Sequence, residues 1–282
     1  MTSIAFQGQP GAYSDLACRK AFPAMTTLPC ESFESAIAAV HEGRAALAML
    51  PPENSLAGRV PDMHALLPKS GLSIIAEKFL RVEHCLLAPP GASLATIKRI
   101  HSHPVALGQV RNLLRELGAT PVVEYDTAGS AEIIAKLNDI GDAAVASSLA
   151  AELHGLQILR RNVEDEAHNT TRFYVMAKAP DAPAPGTPHL MTTFLFRVRN
   201  VPAALYKGLG GFATNGVNMT KLESYMINGT FTATQFLAEV EGHPEERPLR
   251  LALEELEFFS DEIKVLGTYP ADPFRLAQRD GR

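Results

Sequence analysis

Three short polar clusters in this 282-residue chain carry the groups best suited to holding and altering a small polar molecule. The first is Pro52-Glu53-Asn54-Ser55 with Gly58, directly after an apolar run at 45–50. Glu, Asn and Ser offer hydrogen-bond donors and acceptors but no strong nucleophile, and the same residues also make an ordinary polar turn. The second is His101-Ser102-His103-Pro104, continued by Ala106, Leu107 and Gln109. Ser102, ahead of a proline-led helix, is placed to cap it. With the open N–H groups of the helix start it is equally placed to hold a carboxylate. Gln109 then lies inside the helix, where it either joins that site or faces water. The third is Asn169-Thr170-Thr171-Arg172-Phe173, at the opening of an apolar strand. An arginine there clamps a carboxylate through two parallel hydrogen bonds or closes a local salt bridge. Spacing leaves open whether the three clusters meet.

Other patterns carry less. Gly8-x-x-Gly11 after a strand fits an anion-binding loop or a tight strand-to-helix turn. His101-x-His103 has no further metal-ligand partners at a suitable spacing, so a loop or capping role competes with a metal one. Cys18, Cys30 and Cys85 are odd in number and scattered, which argues against a disulfide framework and a cysteine-rich zinc site. A net charge of −5 without a basic run argues against a nucleic-acid partner or an anionic membrane surface. No apolar stretch approaches the ~18 residues of a membrane span, and no secretory signal pattern opens the chain. A cytoplasmic protein is expected.

The elements that must position these clusters alternate. Strand-like runs at 4–6, 45–50, 122–125, 143–146, 157–159 and 172–177 are interleaved with helical patterns at 13–21, 32–40, 104–117, 131–137 and 149–154. Pro51-Pro52 is read as stopping the strand at 50. A long strand-like stretch at 72–87 has little turn signal inside it and is long enough to cross between lobes. Such alternation means helices packed on a mostly parallel sheet, here as two α/β lobes around a cleft. Ligands in such folds sit beyond the carboxyl ends of strands. Four prolines within residues 179–188 mark a semi-rigid linker. Beyond it the order is strand, helix, strand, strand, helix, strand, with Asn228-Gly229 as the hairpin turn signal. This is the split βαβ arrangement. Gly208, Gly210 and Gly211 are costly inside its first helix unless something packs very close to them.

With those residues placed, the chain resembles prephenate dehydratases that carry a C-terminal ACT regulatory domain. The resemblance rests on Pro52-Glu53-Asn54-Ser55 with Gly58, on Ser102-His103-Pro104 with Ala106, Leu107 and Gln109, and on Asn169-x-Thr171-Arg172-Phe173, in that order. It implies an α/β protein. A two-lobed, periplasmic-binding-protein-like catalytic domain at 1–178 would be followed by a linker at 179–189, a ferredoxin-like βαββαβ ACT domain at 190–270 and a tail at 271–282. It further implies a monofunctional enzyme without a preceding chorismate mutase segment, acting in phenylalanine biosynthesis. The reaction is the conversion of prephenate to phenylpyruvate, water and CO2, without cofactor or metal. Thr171, Arg172 and Phe173 take the catalytic positions: a donor to the leaving hydroxyl, a carboxylate holder and a wall for the ring. Asn54, Ser55, Ser102, Gln109 and Thr127 take the substrate-binding ones.

In the C-terminal part the resemblance implies phenylalanine as an inhibitory ligand at Ala203, Ala204, Leu205, Asn218, Glu223 and Ser224. That ligand would lie between two copies, hence a homodimer or homotetramer. Two departures stand out: Ala203 replaces a usual glycine, and Tyr225-Met226 replace a usual Arg-Pro. The alternatives are arogenate dehydratase, which performs the same elimination on the amino analogue, and a non-catalytic small-molecule sensor.

Overall fold

The computed structural model describes residues 2–226 and 233–280, so the Asn228-Gly229 turn signal lies outside the described residues. The chain forms two compact units. One comprises the residues up to Leu67 with Lys78–Tyr174; the other comprises Pro68–Glu77 with the residues from Val175 onward.

The first unit opens with β1 (Ser3–Gln7), α1 (Tyr13–Ala21), β2 (Thr26–Cys30), α2 (Phe33–His41), β3 (Leu47–Asn54), β4 (Gly58–Arg59) and α3 (Pro61–Leu66). Then follow β5 (Ser73–Arg81), β6 (Cys85–Ala88), β7 (Arg99–Ser102), α4 (Pro104–Leu107), α5 (Arg111–Leu117), β8 (Thr120–Val123), α6 (Thr127–Leu137), β9 (Asp142–Ala146), α7 (Ser148–His154), β10 (Gln157–Arg160) and β11 (Thr170–Ala177), with β5 up to Glu77 and β11 from Val175 counted in the other unit. They build two sheets, ordered β2-β1-β3-β11-β5 and β10-β6-β9-β7-β8. The stretch at 72–87 does pass from the first sheet to the second, but it breaks at Val82–His84 into β5 and β6.

Local chemistry accounts for most boundaries. Ser32 and Ser35 cap α2 reciprocally: each side chain accepts from the other's backbone N–H, at 3.1 and 3.0 Å. In β9, alternate residues feed two separate cores. Ala143 and Val145 pack with Leu86, whereas Ala144 and Ala146 pack with Cys85 and Leu87. A strand covered on both faces reads as a continuous apolar run.

Two sequence expectations are corrected here. Pro51-Pro52 does not stop β3, which runs on to Asn54. Its pairing with β1 ends at Met49, so the prolines lie where no β1 partner calls for their missing N–H. The helix read at 104–117 is two helices, broken at Gly108-Gln109-Val110. The carboxylate of Asp165 holds the break by accepting from the N–H groups of Arg111 and Asn112, at 2.9 and 3.0 Å.

The second unit contains β12 (Leu190–Val198), α8 (Ala204–Thr214), β13 (Met219–Met226), β14 (Ala233–Glu241), α9 (Arg247–Phe258) and β15 (Ser260–Pro270). Its antiparallel sheet has the order β13-β14-β12-β15, the split βαβ arrangement. The glycines of α8 divide by function. A Cβ at Gly208 would come 2.8 Å from Leu256 Cδ1, and one at Gly211 2.9 Å from Glu255 Cβ, whereas one at Gly210 would meet nothing within 4 Å. Two of the three therefore let α8 and α9 close together. The stretch read as a tail contains α10 (Pro273–Asp280), tied down by Arg275, whose guanidinium donates twice to buried Glu77 at 2.8 Å. No helix among the described residues is long and apolar enough to cross a membrane.

Candidate active site

The three polar clusters converge in the first unit. The end of β3 and the start of β11 are pinned by Ser55, whose Oγ donates to His168 O and accepts from Thr170 N, both at 2.9 Å. Beside it, the Asn54 Oδ1 accepts from the N–H groups of Leu56 and Ala57, each at 2.9 Å. Two backbone donors on that oxygen fix the amide's orientation. Its Nδ2 therefore donates the other way, to Asn169 Oδ1 at 2.8 Å and Thr171 Oγ1 at 3.0 Å. Asn169 then has only its Nδ2 left, which donates to Gln109 Oε1 at 3.0 Å. That bond joins the first and third clusters to the second, across 60 residues of sequence. Gln109 lines an open cavity of about 700 Å³ together with Leu56, Ala57, Val105, Arg111 and Glu166.

The hydroxyl of Thr171 is left with its proton to give, since its oxygen already accepts from Asn54 and, among the described residues, no group accepts from it. The Gln109 Nε2 is in the same position, its Oε1 being taken twice, by Asn169 and by His84 Nε2 at 2.9 Å.

Other expected site residues lie elsewhere. Successive residues of a strand face opposite sides, so Arg172 is on the far face from Thr171. There its guanidinium meets Glu53 Oε1 at 2.9 Å and stacks over the Tyr174 ring, 4.9 Å from the centroid. It is 3% exposed, so the substrate clamp read from the sequence is replaced by an internal ion pair. Phe173, on Thr171's side, is core rather than wall, with 1% exposure. Ser102 ends β7 fully buried and donates to Val145 O at 2.7 Å. The cap of α4 is His103, whose Nδ1 accepts from Val105 N. Thr127 opens α6 behind its cap Asp126, outside this hydrogen-bonded cluster.

The remaining motifs take their plainer forms. His101 is buried, with Glu124 at 2.8 Å and Asp142 at 3.5 Å from its ring nitrogens. In the Gly8-x-x-Gly11 loop, Gly8 N donates to Cys30 O and Gly11 N to Asp15 Oδ2, so the loop is a strand-to-helix turn with these donors used internally. Among the described residues no group of three His, Cys, Asp or Glu side chains is arranged to hold a metal ion.

The model of the prephenate dehydratase family matches residues 4–181. The chain belongs to the prephenate dehydratase family. Members catalyse the decarboxylative dehydration of prephenate to phenylpyruvate, a step of phenylalanine biosynthesis, and this dehydratase is an enzyme of that kind.

It is 65% identical over 96% of its length to a bifunctional N-acyl-homoserine lactone acylase/prephenate dehydratase of Komagataeibacter europaeus, of which it covers 97%. It is 37% identical over 96% of its length to arogenate dehydratase/prephenate dehydratase 1 of Arabidopsis thaliana, covering 73% of that protein. Among solved structures, the prephenate dehydratase of Arthrobacter aurescens in complex with L-Phe superposes with a TM-score of 0.86 at 29% identity. The match covers 95% of this chain and 90% of the other.

Two residues of this hydrogen-bonded cluster escaped the sequence reading. Tyr13, at the start of α1, and His84, between β5 and β6, extend the hydrogen-bonded chain beyond Gln109. The His84 Nδ1 lies 2.7 Å from the Tyr13 hydroxyl, and the two rings meet edge to face. Burial lowers the His84 pKa and raises that of Tyr13 well above its ordinary value, so both stay neutral. The available signal was Glu83-His84, polar residues interrupting a long apolar stretch.

The expected phenylalanine site of the second unit is not gathered within one chain. Asn218 precedes β13 at the end where Met219 aligns through Val240 with Thr192, whereas Ala203 and Ala204 follow the opposite end of β12 at Val198. Six residues of strand separate these ends, about 20 Å. Glu223 and Ser224 lie between, on β13 at the edge of the described sheet. Ala203 itself has φ of +63°, the left-handed region in which a glycine is unstrained and an alanine is not.

Proposed function

We propose that prephenate is bound in the cavity beside Asn54, Gln109 and Thr171 and that the Thr171 hydroxyl donates to the departing ring hydroxyl. The observation that carries this is the bond into Thr171: Asn54 donates to its oxygen at 3.0 Å, which leaves its O–H to donate elsewhere and strengthens it as a donor. As the bond to the ring carboxylate breaks and releases CO2, its electron pair enters the ring and the C–O bond breaks; the departing hydroxide, hydrogen-bonded by Thr171, takes one proton from solvent and leaves as water. Aromatisation drives the fragmentation, so the protein's task is to position prephenate and to stabilise the leaving oxygen. A threonine hydroxyl is too weak an acid to surrender its proton fully; it acts by hydrogen bonding.

Gln109 Nε2 donates to a substrate carboxylate. Arg111, on the same cavity wall, supplies the positive charge that Arg172, committed to Glu53, does not. Ser55 and Ser102 hold backbone segments in place, and Phe173 packs into the core on Thr171's face of β11. Thr171→Ala tests the central assignment. It is expected to lower kcat with little change in thermal midpoint, and near-parental turnover would overturn the assignment.

The second unit is read as an ACT domain that binds phenylalanine between two copies and inhibits the dehydratase. Support comes from the L-Phe complex of the Arthrobacter aurescens relative and from the separation of Asn218 and Ala203. Antiparallel pairing of two β13 edges would bring one copy's Asn218 toward its partner's Ala203 end, which makes a homodimer, or a tetramer of such dimers, the working state. Kinetics with and without phenylalanine, beside a mass measurement in solution, test both statements together. Buried free thiols at Cys18, Cys30 and Cys85 agree with a cytoplasmic setting.

The 65% identity to the Komagataeibacter protein favours a second reading, hydrolysis of N-acyl-homoserine lactones by the same chain. Mass spectrometry for free homoserine lactone and fatty acid, with Thr171→Ala alongside, separates this activity from the dehydratase one.

A further inference from the structure

We propose that His84 is a positioning residue: held in its Nε2–H form by Tyr13, it locks the Gln109 amide so that Nε2 of Gln109 faces the cavity as a donor. The proposal rests on reading that cavity as the prephenate site.

One hydrogen-bonded chain is fixed from both of its ends. At one end, the backbone N–H groups of Leu56 and Ala57 orient Asn54, which orients Asn169, which donates to Gln109 Oε1. At the other end, His84 Nε2 lies 2.9 Å from Gln109 Oε1, an oxygen that only accepts, so Nε2 carries the proton and donates. The Nδ1 of the neutral ring is then an acceptor, and the Tyr13 hydroxyl, 2.7 Å away with Glu83 O at 3.2 Å, donates to it and holds that tautomer. Two donors on one amide oxygen exclude the flipped amide, in which NH2 would face NH. They also exclude a carbonyl oxygen facing a substrate carboxylate.

Asn169 alone does not secure this. With His84 removed, one side of the Oε1 is unsupported, and Gln109, sited in the short break between α4 and α5, regains its rotational freedom. The edge-to-face Tyr13 ring holds the imidazole plane, and Glu164 Oε2 anchors the His84 backbone N–H at 2.9 Å. The reading makes His84 a group that acts through Gln109 without touching substrate.

The test is a set of variants assayed for phenylpyruvate formation: His84→Phe, His84→Gln, His84→Asn, Gln109→Ala and the double variant His84→Phe/Gln109→Ala. A carboxylate contact made in both ground and transition states appears in KM. Loss of a hydrogen bond to a charged group is expected to raise KM about 10-fold in His84→Phe, with kcat nearly unchanged. His84→Gln places an amide N–H where Nε2 stood and is expected to restore KM. His84→Asn fills only the Nδ1 position and is not. In the Gln109→Ala background His84→Phe is expected to add nothing, because the two act through one contact.

Additive effects of the two substitutions, or equal behaviour of the Gln and Asn variants, would overturn the positioning role while leaving the cavity assignment intact. An unaltered KM in Gln109→Ala would overturn the cavity assignment, and this proposal with it. The Gln and Asn variants differ by one methylene and are compared at matched thermal midpoints, so a folding defect in the Phe variant does not decide the outcome.

Discussion

Replacing Asn54 by Asp separates two functions of one side chain. The carboxylate keeps both bonds accepted from Leu56 and Ala57 but loses those donated, to Asn169 at 2.8 Å and Thr171 at 3.0 Å, with a longer one to Thr170 O at 3.3 Å. At ~1 kcal/mol for each neutral bond, the loss of stability is at most about 2 kcal/mol. That corresponds to a midpoint lowered by roughly 4–8 °C for a domain of this size. The catalytic effect is expected to be larger. A carboxylate beside Thr171 Oγ1 is a strong acceptor, so the threonine hydroxyl turns inward and stops donating to the leaving oxygen. Losing one such preorganised donor costs about 10²–10³ in kcat. The assay is initial-rate phenylpyruvate formation at saturating prephenate, with thermal unfolding followed on the same preparations. A folded Asn54→Asp enzyme whose kcat stays within about threefold of the parent would refute the reasoning, because the inward turn would then be catalytically irrelevant.

Further outcomes follow from the same structure. Ala203→Gly relieves the left-handed backbone at φ +63° and is expected to stabilise the second unit by about 1 kcal/mol, read as a raised urea midpoint. Gly211→Ala, whose Cβ would lie 2.9 Å from Glu255 Cβ, is expected to destabilise by about 1–3 kcal/mol. Gly210→Ala, with nothing within 4 Å, is expected to be neutral or to stabilise by up to ~1 kcal/mol through helix propensity. Equal effects at the two glycines would contradict the close approach of α8 and α9. Burial holds His84 below the ordinary histidine value of 6.5, so the unfolded chain binds more protons in that range. Its contribution to stability is complete above 6.5 and is lost as pH falls through the folded value. Urea midpoints of parent and His84→Gln between about pH 7.5 and 5.5 are expected to show a steeper acid decline in the parent.

Much of this molecule is written locally in its sequence. The alternation of apolar periods placed α1, α2, α6, α7 and the strands β1, β3, β9 and β10, because period and capping act over a few residues, whereas β2 and β7 carried no such signal. The Ser32 cap and the strand–helix order of the second unit are of this kind. So were the three polar clusters, each visible as an interruption of apolar sequence at the end of an element. Where sequence reasoning failed, a long-range partner had decided the matter. Pro51-Pro52 continue β3 because of where β1 ends, and the helix breaks at Gln109 because Asp165, more than fifty residues on, caps the second half.

The site shows the same division. Which residues are polar, and that Thr171 begins a strand, could be read from the chain alone. Which face each side chain takes, and what it meets, could not. Thr171 and Arg172 are neighbours in sequence but lie on opposite faces of β11, one against Asn54 and the other against Glu53. Tyr13, Asn54, His84, Gln109, Asn169 and Thr171 form one chain of oriented hydrogen bonds although up to 117 residues separate bonded partners. Hydrogen-bond direction is set by whichever partner is already committed, and here that commitment passes from backbone amides through three side-chain amides to an imidazole. Sequence supplies the groups; only the folded arrangement determines which of them donates and which accepts.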